Sequence, residues 1–241
     1  MDLKRICILG TPRCGSQYVS QLISGTIKEA TGEHVYNMLE PFTPNADYIP
    51  AFEPGTRKLM SKVIDYKMPI EERIEYVSSI LQECDPNIPL VMKLFPYEAN
   101  LNDLDKILDA IRNNGFEFIC LKRNNLEQQL ISYALSFSTG KWTDHAGEGK
   151  VTNPVMIQLY PIRYLYNMLT NFDSFLSKYG FADVPVIQYE NCLEDLSTIL
   201  NRKISISEVT VRKQRDETDP YRFIVNADSV KQFIQRLING N

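Results

Sequence analysis

The residues best suited to chemistry in this chain stand in two short stretches. They are Gly10-Thr11-Pro12-Arg13-Cys14-Gly15-Ser16-Gln17, and Lys122-Arg123 with Ser132 a little further on. The first stretch follows the apolar run Arg5 to Leu9 and precedes Val19, Leu22, Ile23 and Ile27, which recur at helical spacing. A loop that joins a strand to a helix offers unpaired backbone N–H groups and the positive end of the helix dipole, and both favour an anion. Gly10 and Gly15 permit the turns such a loop needs, and Arg13 adds a permanent positive charge. The glycine spacing matches the nucleotide-binding pattern G-x-x-x-x-G-K-[ST]. Ser16, however, stands where that pattern needs Lys, and Gln17 where it needs the magnesium-binding hydroxyl. The loop reads as a phosphate cradle that lacks both essentials of an ATPase.

In the second stretch the apolar run Phe116 to Leu121 passes into Lys122-Arg123, and Ser132 lies within a helical pattern of Leu126, Leu130, Tyr133, Ala134 and Phe137. Either Lys122 or Arg123 can be the cation at the strand end. Two more groups complete the set. Lys93 lies near the end of the apolar run Leu90 to Leu94, and Glu40 stands in N-M-L-E-P-F, where Pro41 biases it away from helical geometry. His34 and His145 are the other side chains suited to taking a proton near neutral pH.

These stretches resemble the PAPS-dependent sulfotransferases, enzymes that use 3′-phosphoadenosine 5′-phosphosulfate (PAPS) as sulfuryl donor. Their 5′-phosphosulfate loop has the form T-x-P-[KR]-[SC]-G-[ST]-[ST], and here it stands as T-P-R-C-G-S-Q. The resemblance implies that Thr11, Pro12, Arg13, Cys14, Gly15, Ser16 and Gln17 form the 5′-phosphate site, with Arg13 neutralising the leaving group. It implies that Arg123 and Ser132 bind the 3′-phosphate, although their spacing is one residue longer than the family's usual eight. The continuation Y-A-L-S-F-S-T-G-K-W, with Trp142, is similar to the bacterial branch that sulfates trehalose and glycolipids. Val211-Arg212-Lys213-Gln214-Arg215-Asp216 is similar to that branch's R-Q-x-D segment, so Arg212 and Lys213 are expected to complete the 3′-phosphate site. Val186 to Leu193 resembles a strand-ending Y-E-D-L. The family's K-x-H base is absent, because Phe95 occupies the histidine's place after Lys93. By resemblance Glu40 is the general base and Lys93 stabilises charge on the transferring group. The implied reaction needs no metal, yields 3′,5′-adenosine bisphosphate, and has a small-molecule, glycolipid or carbohydrate acceptor.

The elements that must position these groups alternate. Apolar runs at Arg5–Leu9, Leu90–Leu94, Phe116–Leu121 and Val184–Tyr189 are separated by helical patterns, among them Ile70, Ile74, Val77, Leu81 and Leu101, Leu104, Ile107, Leu108, Ile111. A long helix carries Tyr164, Leu165, Met168, Leu169, Phe172 and Phe175, and a last one Val230, Phe233, Ile234, Leu237 and Ile238. This alternation predicts an α/β fold with a mainly parallel central sheet and helices on both faces, in one domain over residues 1–241. The resemblance makes that a P-loop-like sulfotransferase fold. Ligands in such sheets bind beyond the carboxyl ends of the strands, where both motifs fall. Residues 34–66 and 139–153 are expected to shape the acceptor pocket, the second as a lid.

Composition sets limits. With 26 Lys and Arg against 30 Asp and Glu the formal net charge is −4, which disfavours nucleic acid as a partner. No apolar stretch is long enough for a membrane span, and the five cysteines have no paired spacing for zinc or disulfides. A reducing, cytoplasmic setting is expected. Two rival functions remain at this level: a P-loop nucleotide-dependent kinase, and a non-catalytic nucleotide-binding module on the same fold.

Overall fold

The computed structural model describes residues 5–38, 40–41, 48–52, 59–63, 69–83, 87–96, 103–140, 153–206, 209 and 219–240. In chain order the elements are β1 (Arg5–Leu9), α1 (Ser16–Thr31), β2 (Tyr36–Asn37), β3 (Tyr48–Phe52), β4 (Leu59–Val63), α2 (Ile70–Glu83), β5 (Leu90–Leu94), α3 (Leu104–Asn113), β6 (Glu117–Lys122), α4 (Leu126–Thr139), α5 (Leu159–Lys178), β7 (Val186–Gln188), a 3-10 turn at Tyr189–Asn191, α6 (Cys192–Leu200) and α7 (Ala227–Asn239).

Five strands form a parallel sheet in the order β2-β5-β1-β6-β7. Because successive strand residues point to opposite faces, the sheet contributes to two cores. Cys7, Leu9, Leu90, Met92, Leu94 and Cys120 pack with Val77, Leu81, Ile107, Leu108, Phe172 and Phe175 from α2, α3 and α5. Ile6, Ile8, Val91, Phe95, Ile119 and Leu121 pack with Val19, Leu22, Ile23 and Ile27 of α1 and Leu196 and Leu200 of α6. Helices therefore cover both faces, as the alternation predicts. Each fully buried Leu or Ile in these layers contributes about 1.5–3 kcal/mol. A third cluster joins α4, α5 and α7 through Leu130, Ile131, Leu165, Met168, Val230 and Ile234.

Three parts of the architecture depart from the sequence reading. The region expected to be an acceptor loop contains the antiparallel pair β3 and β4, with Tyr48 opposite Val63. The stretch read only as a strand-ending motif continues into α6. Members of the apolar helical patterns also lie outside: Phe137 is 48%, Tyr164 40% and Ile238 44% exposed. Tyr164 instead stacks on Tyr160, one turn away, with ring centroids 6.1 Å apart.

Adjacent strands β1 and β6 send the chain in opposite directions. From β1 it passes through α1 to β2 at one edge, and from β6 through α4 and α5 to β7 at the other. The carboxyl ends of β1 and β6 thus flank the switch point at which open α/β sheets bind ligands.

Candidate anion-binding site

The first loop enters this switch point with two left-handed residues, Arg13 at φ 63° and Gly15 at φ 92°. Gly15 is the N-cap of α1, no side chain caps that end, and the first turn holds no acidic residue. The positive end of the helix is therefore open to an anion. Gly15 is required for a second reason. A Cβ there would lie 2.2 Å from ring carbons of Tyr189, which closes over the loop.

The two motifs meet. Arg13 Nε donates to Ser132 Oγ at 2.9 Å, across 119 residues of sequence. The Arg123 guanidinium donates to the Arg13 carbonyl at 3.2 Å and to Gln128 Oε1 at 2.5 Å, and it lies over the Tyr189 ring at 4.9 Å. The extra residue between Arg123 and Ser132 does not swing the serine away from the loop. Lys122, the other candidate for the strand-end cation, is paired with Asp173 of α5, so Arg123 is the one that faces the cradle.

Arg123 is a half-buried cation with the Glu190 carboxylate among the groups around it. Burial pulls its pKa down from the ordinary value, yet an arginine stays charged. Its Nε is buried without a hydrogen-bond partner, and its other contacts are a carbonyl, an amide oxygen and a ring. The nearby Glu190 does not neutralise it directly, since its carboxylate accepts the backbone N–H groups of Asn124 and Asn125, both at 3.0 Å. With Asn125 Oδ1 also accepting from Gln128 N at 2.9 Å, the N-terminus of α4 is closed by side chains while that of α1 is open. A guanidinium whose buried Nε finds no acceptor is a place at which an anion could bind.

Lys93 is where alternation along β5 matters. Leu90, Met92 and Leu94 face the α2 and α3 side, so Lys93 faces α1. The residue is only 5% exposed. Its Nζ lies 2.8 Å from Glu40 Oε1 and 3.1 Å from Gln17 Oε1. Glu40, just beyond β2, is thereby tied to the first turn of α1. His34 does not compete for this place. It precedes β2, where Tyr36 pairs with Leu90 at the opposite end of β5, and it is exposed with its ring edge-on to Tyr36.

Cys14 is buried, and desolvation pushes its thiol up to about 11. It is a packing residue: its Sγ would lie 2.9 Å from a Cβ at Gly10. The sequence reading omits Gln129, whose Nε2 donates to Thr11 Oγ1 at 3.0 Å and to the Pro12 carbonyl at 2.9 Å, and it leaves Tyr189 and Glu190 without a role. Only the polar residue inside an apolar helical face hints at Gln129. Trp142, His145, Arg212 and Lys213 lie outside the described residues. Among the described residues no group of His, Cys, Asp and Glu could hold a metal ion, and no helix is long and apolar enough to cross a membrane.

No model of a known protein family matches the chain, and no curated protein is a significant match to it.

Proposed function

We propose that the chain is a sulfotransferase that moves a sulfuryl group from PAPS to a hydroxyl of a small-molecule, glycolipid or carbohydrate acceptor. The observation that carries this reading is the meeting of the open α1 N-terminus with Arg13, Arg123 and Ser132. Two phosphates call for more than one cation, and Arg13 and Arg123, which meet at the switch point, support this reading.

In this reading the loop N–H groups and Arg13 bind the 5′-phosphate, while Arg123 and Ser132 bind the 3′-phosphate. Sulfuryl transfer, like phosphoryl transfer, asks a protein mainly for alignment and charge neutralisation. Glu40 Oε1 is engaged by Lys93, which leaves Oε2 to take the acceptor's hydroxyl proton as the new S–O bond forms. The bond from sulfur to the 5′-phosphate oxygen breaks, and Arg13 and Lys93 offset the charge that returns to that phosphate. The products are the sulfate ester and 3′,5′-adenosine bisphosphate, and the proton leaves through Glu40.

The test is thermal stabilisation by nucleotides. 3′,5′-Adenosine bisphosphate at a hundredfold excess over its dissociation constant should add about 2.7 kcal/mol, and ATP with magnesium much less. Incubation with labelled PAPS and a cell extract should then label an acceptor. A second reading, a nucleotide-dependent kinase, draws on one observation: Lys93 reaches the first loop from the neighbouring strand, where an ammonium can stand in for the absent loop lysine. Equal or stronger stabilisation by magnesium-ATP selects it.

A further inference from the structure

Gln129 has no part in the reaction described above, yet it is completely buried and turned toward the first loop. A carbonyl oxygen can only accept, so the atom facing the Pro12 carbonyl must be the amide nitrogen, and its two hydrogens serve Thr11 Oγ1 and Pro12. The Pro12 carbonyl belongs to the peptide group before Arg13. The carbonyl of the following peptide group, that of Arg13 itself, accepts from Arg123. Both planar units flanking the Arg13 Cα are therefore held from outside the loop. Arg13 needs such holding, because a non-glycine residue at φ 63° is strained.

The other end of the same amide argues against a purely structural role. Gln129 Oε1 is buried with no hydrogen-bond partner, a cost that an apolar side chain of similar shape would avoid. One turn along α4, Ser132 takes the Arg13 side chain. One face of α4 thus braces the loop's backbone through Gln129 and its cation through Ser132.

We propose that Gln129 is a positioning residue: by holding the Pro12 carbonyl it keeps Arg13 in the left-handed conformation that points its guanidinium at Ser132. The consequence for nucleotide binding rests on the sulfotransferase reading, and the consequence for the loop does not. The test uses the full chain with Gln129→Met, which keeps the shape and removes both donors, and Gln129→Glu, which supplies a donor only when protonated. Backbone amide exchange over residues 10–17 is measured without ligand, and affinity for 3′,5′-adenosine bisphosphate by calorimetry. In Gln129→Met, loop exchange should accelerate while β1 stays protected, and affinity should fall by about tenfold, the worth of one to two neutral hydrogen bonds. In Gln129→Glu, affinity should be weak at neutral pH and partly recover as the pH is lowered into the carboxyl range, a recovery absent from the unaltered protein. A lowered melting temperature with unchanged affinity and unchanged loop exchange overturns the proposal, as does a Gln129→Glu pH profile matching that of the unaltered protein. If the unaltered protein does not bind the bisphosphate, the sulfotransferase reading fails, and loop exchange alone decides the role of Gln129: faster exchange in Gln129→Met upholds it and unchanged exchange ends it.

Discussion

Lys93 Nζ stands 2.8 Å from Glu40 Oε1, and the same ammonium donates to Gln17 Oε1 at 3.1 Å. A carboxylate beyond the short edge strand β2 is thus joined to the open end of α1 by a lysine from the strand between them. Glu40→Gln keeps the shape and removes the proton acceptor. Turnover of PAPS should fall by roughly a hundred to ten thousandfold, the range for a positioned base, with bisphosphate affinity nearly intact. Full activity in Glu40→Gln, measured by sulfate-ester formation, passes the role to another group.

Lys93→Met tests the other half of the pair. Removing one member of a fully buried ion pair costs about 3–5 kcal/mol, but the Glu40 side chain is 28% exposed and can hydrate. Urea unfolding should therefore show a loss below that range. Turnover should also fall, because Gln17 and Glu40 lose their common anchor. A stability loss at or above the range means that Glu40 does not rehydrate when Lys93 is gone.

Arg123→Ala should weaken 3′,5′-adenosine bisphosphate by roughly ten to a hundredfold, the worth of a charge-assisted hydrogen bond. Adenosine 5′-phosphosulfate, which lacks the 3′-phosphate, should lose less, the remaining effect coming from the released Arg13 carbonyl. Arg123→Lys should not restore binding, because a tetrahedral ammonium lacks the planar fork that lies over Tyr189 while reaching both the Arg13 carbonyl and Gln128. Equal losses for both ligands would make Arg123 a brace for the loop only.

Arg13, Arg123 and Ser132 are legible in the sequence because each lies just after a strand or on the helix that follows one, and topology brings strand ends together. Gln129 is not, since its role is set by which carbonyls the loop presents after folding. The contact of Gly15 with Tyr189 is equally hidden, because nothing local near residue 15 encodes a ring from beyond β7. Helical periodicity groups Tyr164 and Phe137 with core residues, but period alone does not say how wide a face the neighbours cover. The pair β3 and β4 escapes notice because its two short runs are interrupted by polar residues and Pro50.

The two ends of α1 give an internal comparison. Gly32, its C-cap, is at φ 72° with nothing within 4 Å of an added Cβ, so Gly32→Ala should cost about 1–2 kcal/mol for the left-handed backbone alone. Gly15→Ala carries that strain plus the collision with Tyr189. It should destabilise more in urea unfolding and abolish bisphosphate binding, and equal costs at the two ends would mean that the ring moves aside freely.

Glu190 offers a test by pH. Burial opposes its charge, but the amides of Asn124 and Asn125, with the Arg123 guanidinium nearby, outweigh that and hold its carboxyl below the usual range. A depressed folded-state pKa means that the unfolded chain takes up the proton first as pH falls. The stabilisation is therefore fully present above the unfolded value, roughly pH 4, and is lost as pH drops through the lower folded value. Glu190 is exposed, so solvent screening keeps the effect small. In Glu190→Gln the urea midpoint should sit below that of the unaltered protein at neutral pH, with the gap closing as the medium becomes more acidic. Because the same two amides begin the turn that carries Arg123 into the site, Glu190→Gln should also weaken bisphosphate binding at neutral pH. A gap in midpoint that stays constant from neutral to acid would show that the ionised carboxylate is not what holds the amides.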